Sequence, residues 1–456
     1  MRQRESLSSR LGFILLSAGC AIGLGNVWKF PFITGRYGGA IFVLIYLVFL
    51  VIFGIPIMSM EFAVGRASRR SVSRAFHELE PKGSKWHVFS WAAMAGNYLI
   101  MMFYTTVSGW ILAYLVYSVQ GKFVGLNTDE VAGVFRALTD SASSSVIWMI
   151  VICVVGFAIC AIGLQKGVEL ITKVMMSALF VVLIVLTVHS VTLPGAMEGF
   201  EFYLKPSLEP IREYGLWAVI YAAMGQAFFT LSVGMGSMAI FGSYINHDRR
   251  LIGEAVNITI LDTVIALLAG LIIFPACFSF GVSADSGPPL IFITLPNIFN
   301  SMAGGRVWGS LFFVFMLFAA LSTVVAVFEN IIAFAIDKTG CSRRKACIIN
   351  AVVLIILSLP CALGFNAWRG VRPFGEGSNI LDLEDFIVSY NLLPLGALVF
   401  LLFCVTRYGW KWENFITEVD KGKGRRFPAA LKPYFVFVLP LMLIVFYVLG
   451  IVGFFS

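Results

Sequence analysis

The chain has 456 residues, of which 59% are hydrophobic and only 13% charged, about half the charge density of soluble domains. That balance excludes a soluble globular protein and sets a polytopic helical membrane protein in its place, so the length counts spans rather than domains. The formal charge of +8 does not point to nucleic acid, because the basic residues cluster in short loops between apolar runs, as one face of a membrane requires.

Eleven spans are predicted: 11–33, 40–63, 88–119, 146–163, 167–191, 215–244, 252–281, 307–336, 346–365, 384–406 and 433–455. No small-residue cleavage site follows a short apolar core, so the first span is expected to stay in the protein. The N-terminus and the loops after spans 2, 4, 6, 8 and 10, with their flanking span ends, hold 24 of the 33 Lys and Arg residues. This bias predicts a cytoplasmic N-terminus and, with an odd span count, an extracellular C-terminus. Eight cysteines and four histidines show neither CxxC nor metal-ligand spacing. The cysteines other than Cys20 read as small apolar residues or reduced thiols.

Span 1 reads LGFILLSAGCAIGLGNVWKFPF, long enough to cross a bilayer yet a poor helix at its centre. Gly19, Gly23 and Gly25 each cost about 1 kcal/mol against alanine in a helix interior, and Asn26 and Pro31 follow. A helix opened in hydrocarbon survives only where its freed backbone groups are buried in protein or line a cavity. Freed carbonyls suit a hard cation, and freed N–H groups suit a carboxylate. A glycine-packed helix interface explains this span alone about as well.

Along the chain, Glu61 of span 2 is expected near a span end. Span 3 offers Ile100 and Tyr104, and the segments 120–145 and 192–214 read as solvated caps of the bundle. Span 6, GLWAVIYAAMGQAFFTLSVGMGSMAIFGSY, is the second interrupted helix, with Gln226, Thr230, Ser232, Gly234 and Gly236 at its centre. Spans 1 and 6 are five apart, so two five-span units in sequence have opposite orientations. Glycine-interrupted segments at matching positions of two halves point to a transport site at the repeat interface. Span 7 adds Asp262, an acid within an apolar run and therefore functional by default. Span 8 adds adjacent hydroxyls at Ser322 and Thr323, with Glu329 expected near a span end.

The runs GLGNVWKFP and FFTLSVGMG, the span-8 ALST and the eleven-span layout resemble the neurotransmitter:sodium symporters over nearly the whole chain. The resemblance implies an all-α leucine-transporter fold forming one transmembrane domain, 1–456. A first repeat would cover 11–191 and an inverted repeat 215–406, with span 11 at 433–455 outside both. It implies a plasma-membrane symporter, not an enzyme, that imports an amino acid with sodium by alternating access. The implied partners are a hydrophobic L-amino acid, sodium and the lipid bilayer, with no nucleic acid.

Carried over by position, the resemblance implies two sodium sites. One would use Ala21, Asn26, Thr230 and Asp262, the other Gly19, Ile22, Ala319, Ser322 and Thr323. The substrate carboxylate would meet Leu24, Gly25 and Tyr104. The amine would meet carbonyls near Cys20, Phe229 and Thr230. The side chain would lie among Ile100, Phe229, Ser232, Met235 and Val327, with Thr323 adjoining. Lys29 with Asp385 would form the outer gate and Arg4 with Asp337 the inner one.

Departures from the pattern sharpen these expectations. Lys29 stands where arginine is usual, and Ser177 stands where many members place a proline after Gly167. Gly23 occupies the position at which amine transporters carry aspartate, which implies α-amino acids as cargo. Met235 replaces a phenylalanine of leucine-preferring relatives, which implies a range from leucine-like to tryptophan-like side chains. Asp262 and Ala266 replace an asparagine and a serine of chloride-dependent members, while Tyr46, Gln226 and Thr230 are retained. A fixed carboxylate there implies transport without chloride. A channel would need polar residues along a whole pore rather than at one depth, and no span carries a nucleophile–base pair or a metalloprotease motif.

Overall fold

In a computed structural model that describes residues 7–281 and 289–455, each predicted span is helical. Among the described residues, nine helices are long and apolar enough to cross a membrane: Ala40–Ser68, Trp86–Gln120, Ala142–Ile162, Leu164–Val191, Leu251–Ser279, Gly305–Thr339, Arg343–Leu363, Ile380–Val405 and Tyr434–Phe454. These are spans 2–5 and 7–11, with ends within a few residues of those read from hydropathy. Spans 1 and 6 are each split in two. Among the described residues there is no strand, only an isolated bridge between Arg249 and Lys423.

Span 1 runs as Arg10–Ala21, breaks, and resumes over Gly25–Arg36 at an angle of 52°. Ser9 caps the first half by accepting from the Gly12 N–H, and Ile22 then turns extended with φ −72° and ψ 99°. The second half opens on a wide π-helical turn, Gly25–Lys29, and Pro31 sits at the start of Phe30–Arg36, where a missing N–H costs little. Span 6 runs as Leu216–Thr230 and Ser237–Tyr244. Between them Gly234 has φ 103°, and a Cβ there would overlap the Leu393 carbonyl of span 10, so neither its conformation nor its packing admits a side chain.

Span 8 lies along span 3 and also packs on spans 5 and 1, while span 9 lies along span 4. The two halves of the chain therefore interlock rather than standing side by side. The segments expected to be plain solvated caps are partly helical and contribute to the core. Thr128–Asp140 starts on a reciprocal Asn127–Glu130 capping box and buries Val131 and Leu138. Ala196–Leu204 packs on span 7, with Tyr203 buried and its hydroxyl donating to the Leu267 carbonyl at 3.2 Å. The Asn-x-x-Glu spacing at 127–130 was the available cue for the first of these helices.

Candidate functional site

The break in span 1 turns carbonyls toward span 8. Thr323 Oγ1 lies 3.1 Å from the Gly19 carbonyl, 3.4 Å from Cys20 and 3.3 Å from Ile22. Ser322 Oγ lies 2.9 Å from the Ala319 carbonyl and 3.4 Å from that of Ile22. Both hydroxyls are buried. All five residues of the expected second sodium site thus meet at one point. One hydroxyl proton cannot serve three carbonyls well, so this is an oxygen-rich, donor-poor cluster, the chemistry that a hard monovalent cation fits.

A second oxygen cluster lies between spans 1, 6 and 7. Asp262 is fully buried and receives the Thr230 hydroxyl at 3.0 Å and the Asn26 amide at 2.8 Å. Asn26 Oδ1 in turn accepts the Gly23 N–H at 3.1 Å, closing the broken turn on itself. Ala21 is buried in the turn before the break. No cation is bonded to the Asp262 carboxylate among the described residues. A charge buried this way is costly unless a counter-ion accompanies it. Beside it, Tyr46 is buried next to Thr230, and Gln226 Oε1 is buried without a hydrogen-bond partner among the described residues, although Gln226 Nε2 donates to the Gly25 carbonyl at 2.7 Å.

The face expected to take a carboxylate is formed by the Leu24 N–H, which donates to the Tyr104 hydroxyl at 2.8 Å. A Cβ at Gly23 would overlap both the Tyr104 and Thr323 hydroxyls, so no side chain fits at that position without displacing them. Ser232 adopts a left-handed φ of 51° and donates to the Cys20 carbonyl at 3.1 Å. For a non-glycine residue this conformation costs about 1–3 kcal/mol, and it joins the two broken helices directly. The Phe229 ring packs over Gly25. Ile100, Met235 and Val327 are buried, and the Met235 sulfur lies against Gly96, one turn before Ile100.

Above Phe229 the ion pair expected at the outer gate is formed. Lys29 Nζ lies 3.0 Å from Asp385 Oδ1, 3.1 Å from Ser389 Oγ and 4.1 Å from the centre of the Phe229 ring. At the other end, Asp337 accepts the Ser71 N–H at 2.8 Å and lies 4.0 Å from Arg70. Its expected partner Arg4 lies outside the described residues.

Several functional contacts escaped the sequence reading. Glu61 is not at a span end: it is fully buried and accepts the N–H groups of Gly234 and, at 3.2 Å, Met238, clasping the break of span 6. Asn97 donates to the Met235 carbonyl at 3.0 Å and accepts from Asn330 at 3.0 Å and from Ser237 at 3.2 Å. An acid within the apolar run IMSMEFAVG was a visible signal, but its partners come from a span far along the chain. Glu329 is likewise buried, bonded to Tyr244 at 2.7 Å and paired with Arg343. Arg66 is wholly buried and pairs with Glu418 at 2.7 Å. Burial alone would raise the Glu418 carboxyl, but the Lys421 hydrogen bond and the Arg66 charge hold it below the usual glutamate range.

Comparisons with known proteins agree with this geometry. A model of the sodium:neurotransmitter symporter family matches residues 4–127 and 129–456. An uncharacterized sodium-dependent transporter of Bacillus subtilis, YhdH, is 33% identical over 451 residues, covering 98% of each chain. A sodium-dependent serotonin transporter of Drosophila melanogaster is 27% identical, covering 99% of this chain and 77% of its own. Among solved structures, that of MhsT in complex with L-phenylalanine superposes with a TM-score of 0.88 at 37% identity, covering 98% of this chain and 99% of the other.

Proposed function

Because the chain belongs to the sodium:neurotransmitter symporter family, and so is a sodium-dependent membrane transporter with the leucine-transporter fold rather than an enzyme, we propose that it imports hydrophobic L-amino acids across the plasma membrane, with two sodium ions and without chloride. The cargo reading rests on the span-1 break. An amine lacking a carboxylate needs a protein acid beside it, and at Gly23 the Tyr104 and Thr323 hydroxyls already fill the space a side chain would take. The Leu24 N–H and the Tyr104 hydroxyl suit a substrate carboxylate instead. MhsT, similar along nearly the whole chain, is solved with phenylalanine, which agrees with an apolar side chain among Ile100, Phe229, Met235 and Val327. Charged amino acids are expected to be rejected, since burying their charge is costly.

The chloride reading rests on Asp262. Two sodium ions and a zwitterion bring net positive charge into a site of low dielectric constant, and the buried carboxylate supplies the balancing negative charge. Ala266, one turn on, offers no hydrogen bond to an anion. In this reading the N-terminus is cytoplasmic, the repeats are 11–191 and 215–406, and Lys29–Asp385 closes the outer path.

The test is uptake of labelled amino acids into liposomes under a sodium gradient, with chloride or gluconate as the anion. Aliphatic and aromatic amino acids should be taken up in sodium alone, equally in either anion. Asp262→Asn combined with Ala266→Ser should lower uptake at least about tenfold in gluconate, with partial recovery in chloride. Comparable uptake of a monoamine would remove the amino-acid assignment. Chloride dependence of the unmodified protein would remove the charge-balance argument.

A further inference from the structure

Away from the transport path, a cleft of about 240 Å³ opens where span 1 begins, beside the first turns of span 7. It is smaller than the ~300–1,000 Å³ of sites that enclose a whole small molecule. Five cations line it, Arg10, Arg249, Arg250, Lys423 and Arg425, against one carboxylate, Glu254. Glu254 is already engaged by Arg10 at 3.0 Å, so the remaining positive charge stands unbalanced within the cleft.

Apart from Arg10, these cations are brought together by backbone pairing rather than by acids. A bridge between Arg249 and Lys423 joins the loop before span 7 to the loop before span 11, through Arg250 N–H to Lys423 carbonyl at 3.1 Å and Lys423 N–H to Asp248 carbonyl at 2.8 Å. The Arg250 guanidinium donates to two carbonyls, of Gly424 at 2.6 Å and Asp420 at 3.0 Å, which orient it without neutralising it. The nearby Asp420 carboxylate accepts the Phe427 N–H at 2.8 Å. Arg249, Lys423 and Arg425 are exposed, and none has an ion pair among the described residues.

The far wall of the same cleft is apolar. Ile260 lines it and is 54% exposed. Val256, Ile260 and Val264 follow at helical spacing on one stripe of span 7, and at 1.5 Å per residue the stripe runs from the cleft to about 21 Å from Arg250 along the helix. A small soluble anion would use the cations and leave this stripe bare. A phosphate joined to an acyl chain uses both.

We propose that this cleft binds an anionic phospholipid, with its phosphate on Arg249, Lys423 and Arg425 and an acyl chain along Val256, Ile260 and Val264. Unlike the substrate assignment, it depends only on which lipid surrounds the protein. Each basic residue near an anionic surface contributes about fivefold in affinity.

The full-length protein, placed in nanodiscs of phosphatidylcholine with or without phosphatidylglycerol, is stripped with detergent, and retained lipid is counted by native mass spectrometry. Phosphatidylglycerol should be retained over phosphatidylcholine. The combined variant Arg249→Gln, Lys423→Gln, Arg425→Gln should retain at least about tenfold less of it, while sodium-dependent substrate binding is unchanged, which reports that the fold is intact. Should that variant not fold, Lys423→Gln alone should lower retention about fivefold. Equal retention of the two lipids by the unmodified protein would overturn the proposal, as would unchanged retention in whichever variant folds. Displacement by inorganic phosphate, combined with no effect of Ile260→Ser, would overturn the lipid assignment and leave a free-phosphate site.

Discussion

Spans 1 and 6 are both broken at the same depth, yet their freed backbone groups are satisfied in different ways. In span 6 the protein does the work itself. Glu61 takes two N–H groups and Asn97 holds the Met235 carbonyl. In span 1 the Cys20 carbonyl takes the Ser232 hydroxyl at 3.1 Å, but those of Gly19 and Ile22 share a single hydroxyl proton from Thr323, with Ser322 adding one long contact to Ile22. A backbone group bonded by a buried acid or amide is committed. One sharing a weak neutral donor is open to a better partner, and for clustered carbonyls that partner is a cation. In the proposed function, span 6 is thus the fixed half of the site and span 1 the half that the transported ions and substrate would complete.

The largest effect should come from breaking the fixed half. Removing the Glu61 carboxylate leaves two buried N–H groups without an acceptor, each costing about 1–3 kcal/mol, in membrane with no water to replace it. Glu61→Ala should therefore destabilise the protein by about 2–6 kcal/mol, seen as a lower unfolding midpoint in detergent with or without sodium. Glu61→Gln keeps one acceptor and should fall between. If Glu61→Ala unfolds at the same midpoint as the unmodified protein, span 6 is not held by the carboxylate and the contrast between the two breaks fails.

A smaller and differently shaped effect is expected in span 1. Ser322→Ala with Thr323→Val removes two side-chain ligands and only weak hydrogen bonds. Stability without sodium should change by about 1–2 kcal/mol or less, whereas the sodium concentration needed for substrate binding should rise about tenfold or more. A sodium titration of substrate binding separates these quantities. Loss of stability with unchanged sodium affinity would make span 1 a second structural clasp.

How much of this was readable in the chain follows the same division. Helix breaks are local events: glycine clusters and a stray proline mark them, and both breaks and the residues flanking them lie where the spacing placed them. That carbonyls would gather at the span-1 break was reachable because a break frees the carbonyls beside it, whereas the choice of Gly19 and Ile22 came from the family resemblance. What satisfies a break is non-local. Glu61 meets Gly234 across 173 residues, and Arg66 meets Glu418 across 352, and no spacing rule connects them. Glu61 had a signal as a lone acid in an apolar run, but the choice between a span-end acid and a backbone clasp depends on which helix packs against it. The capping helix at Thr128–Asp140 failed differently. Its Asn127–Glu130 box was present in the sequence, but a loop reading of a polar segment masked it.

The smallest effect concerns Lys29, at the outer end of the span-1 break. Its ammonium serves Asp385, Ser389 and the face of Phe229 together, at 3.0, 3.1 and 4.1 Å. The two partners of the ion pair are 21% and 28% exposed, so the pair gains only about 0.2–1 kcal/mol. An arginine here presents a rigid fork that takes both carboxylate oxygens and stacks on an aromatic ring, where lysine offers one point charge. Lys29→Arg should therefore favour the closed outer gate by about the energy of one further exposed contact and slow substrate release to the outside about two- to fivefold, with sodium affinity nearly unchanged. The readout is dissociation of labelled substrate from the sodium-loaded protein. Faster release would mean that the Ser389 contact, which a guanidinium spanning the carboxylate gives up, matters more than the charge. The gate would then be positioned by its hydroxyl rather than closed by its ion pair.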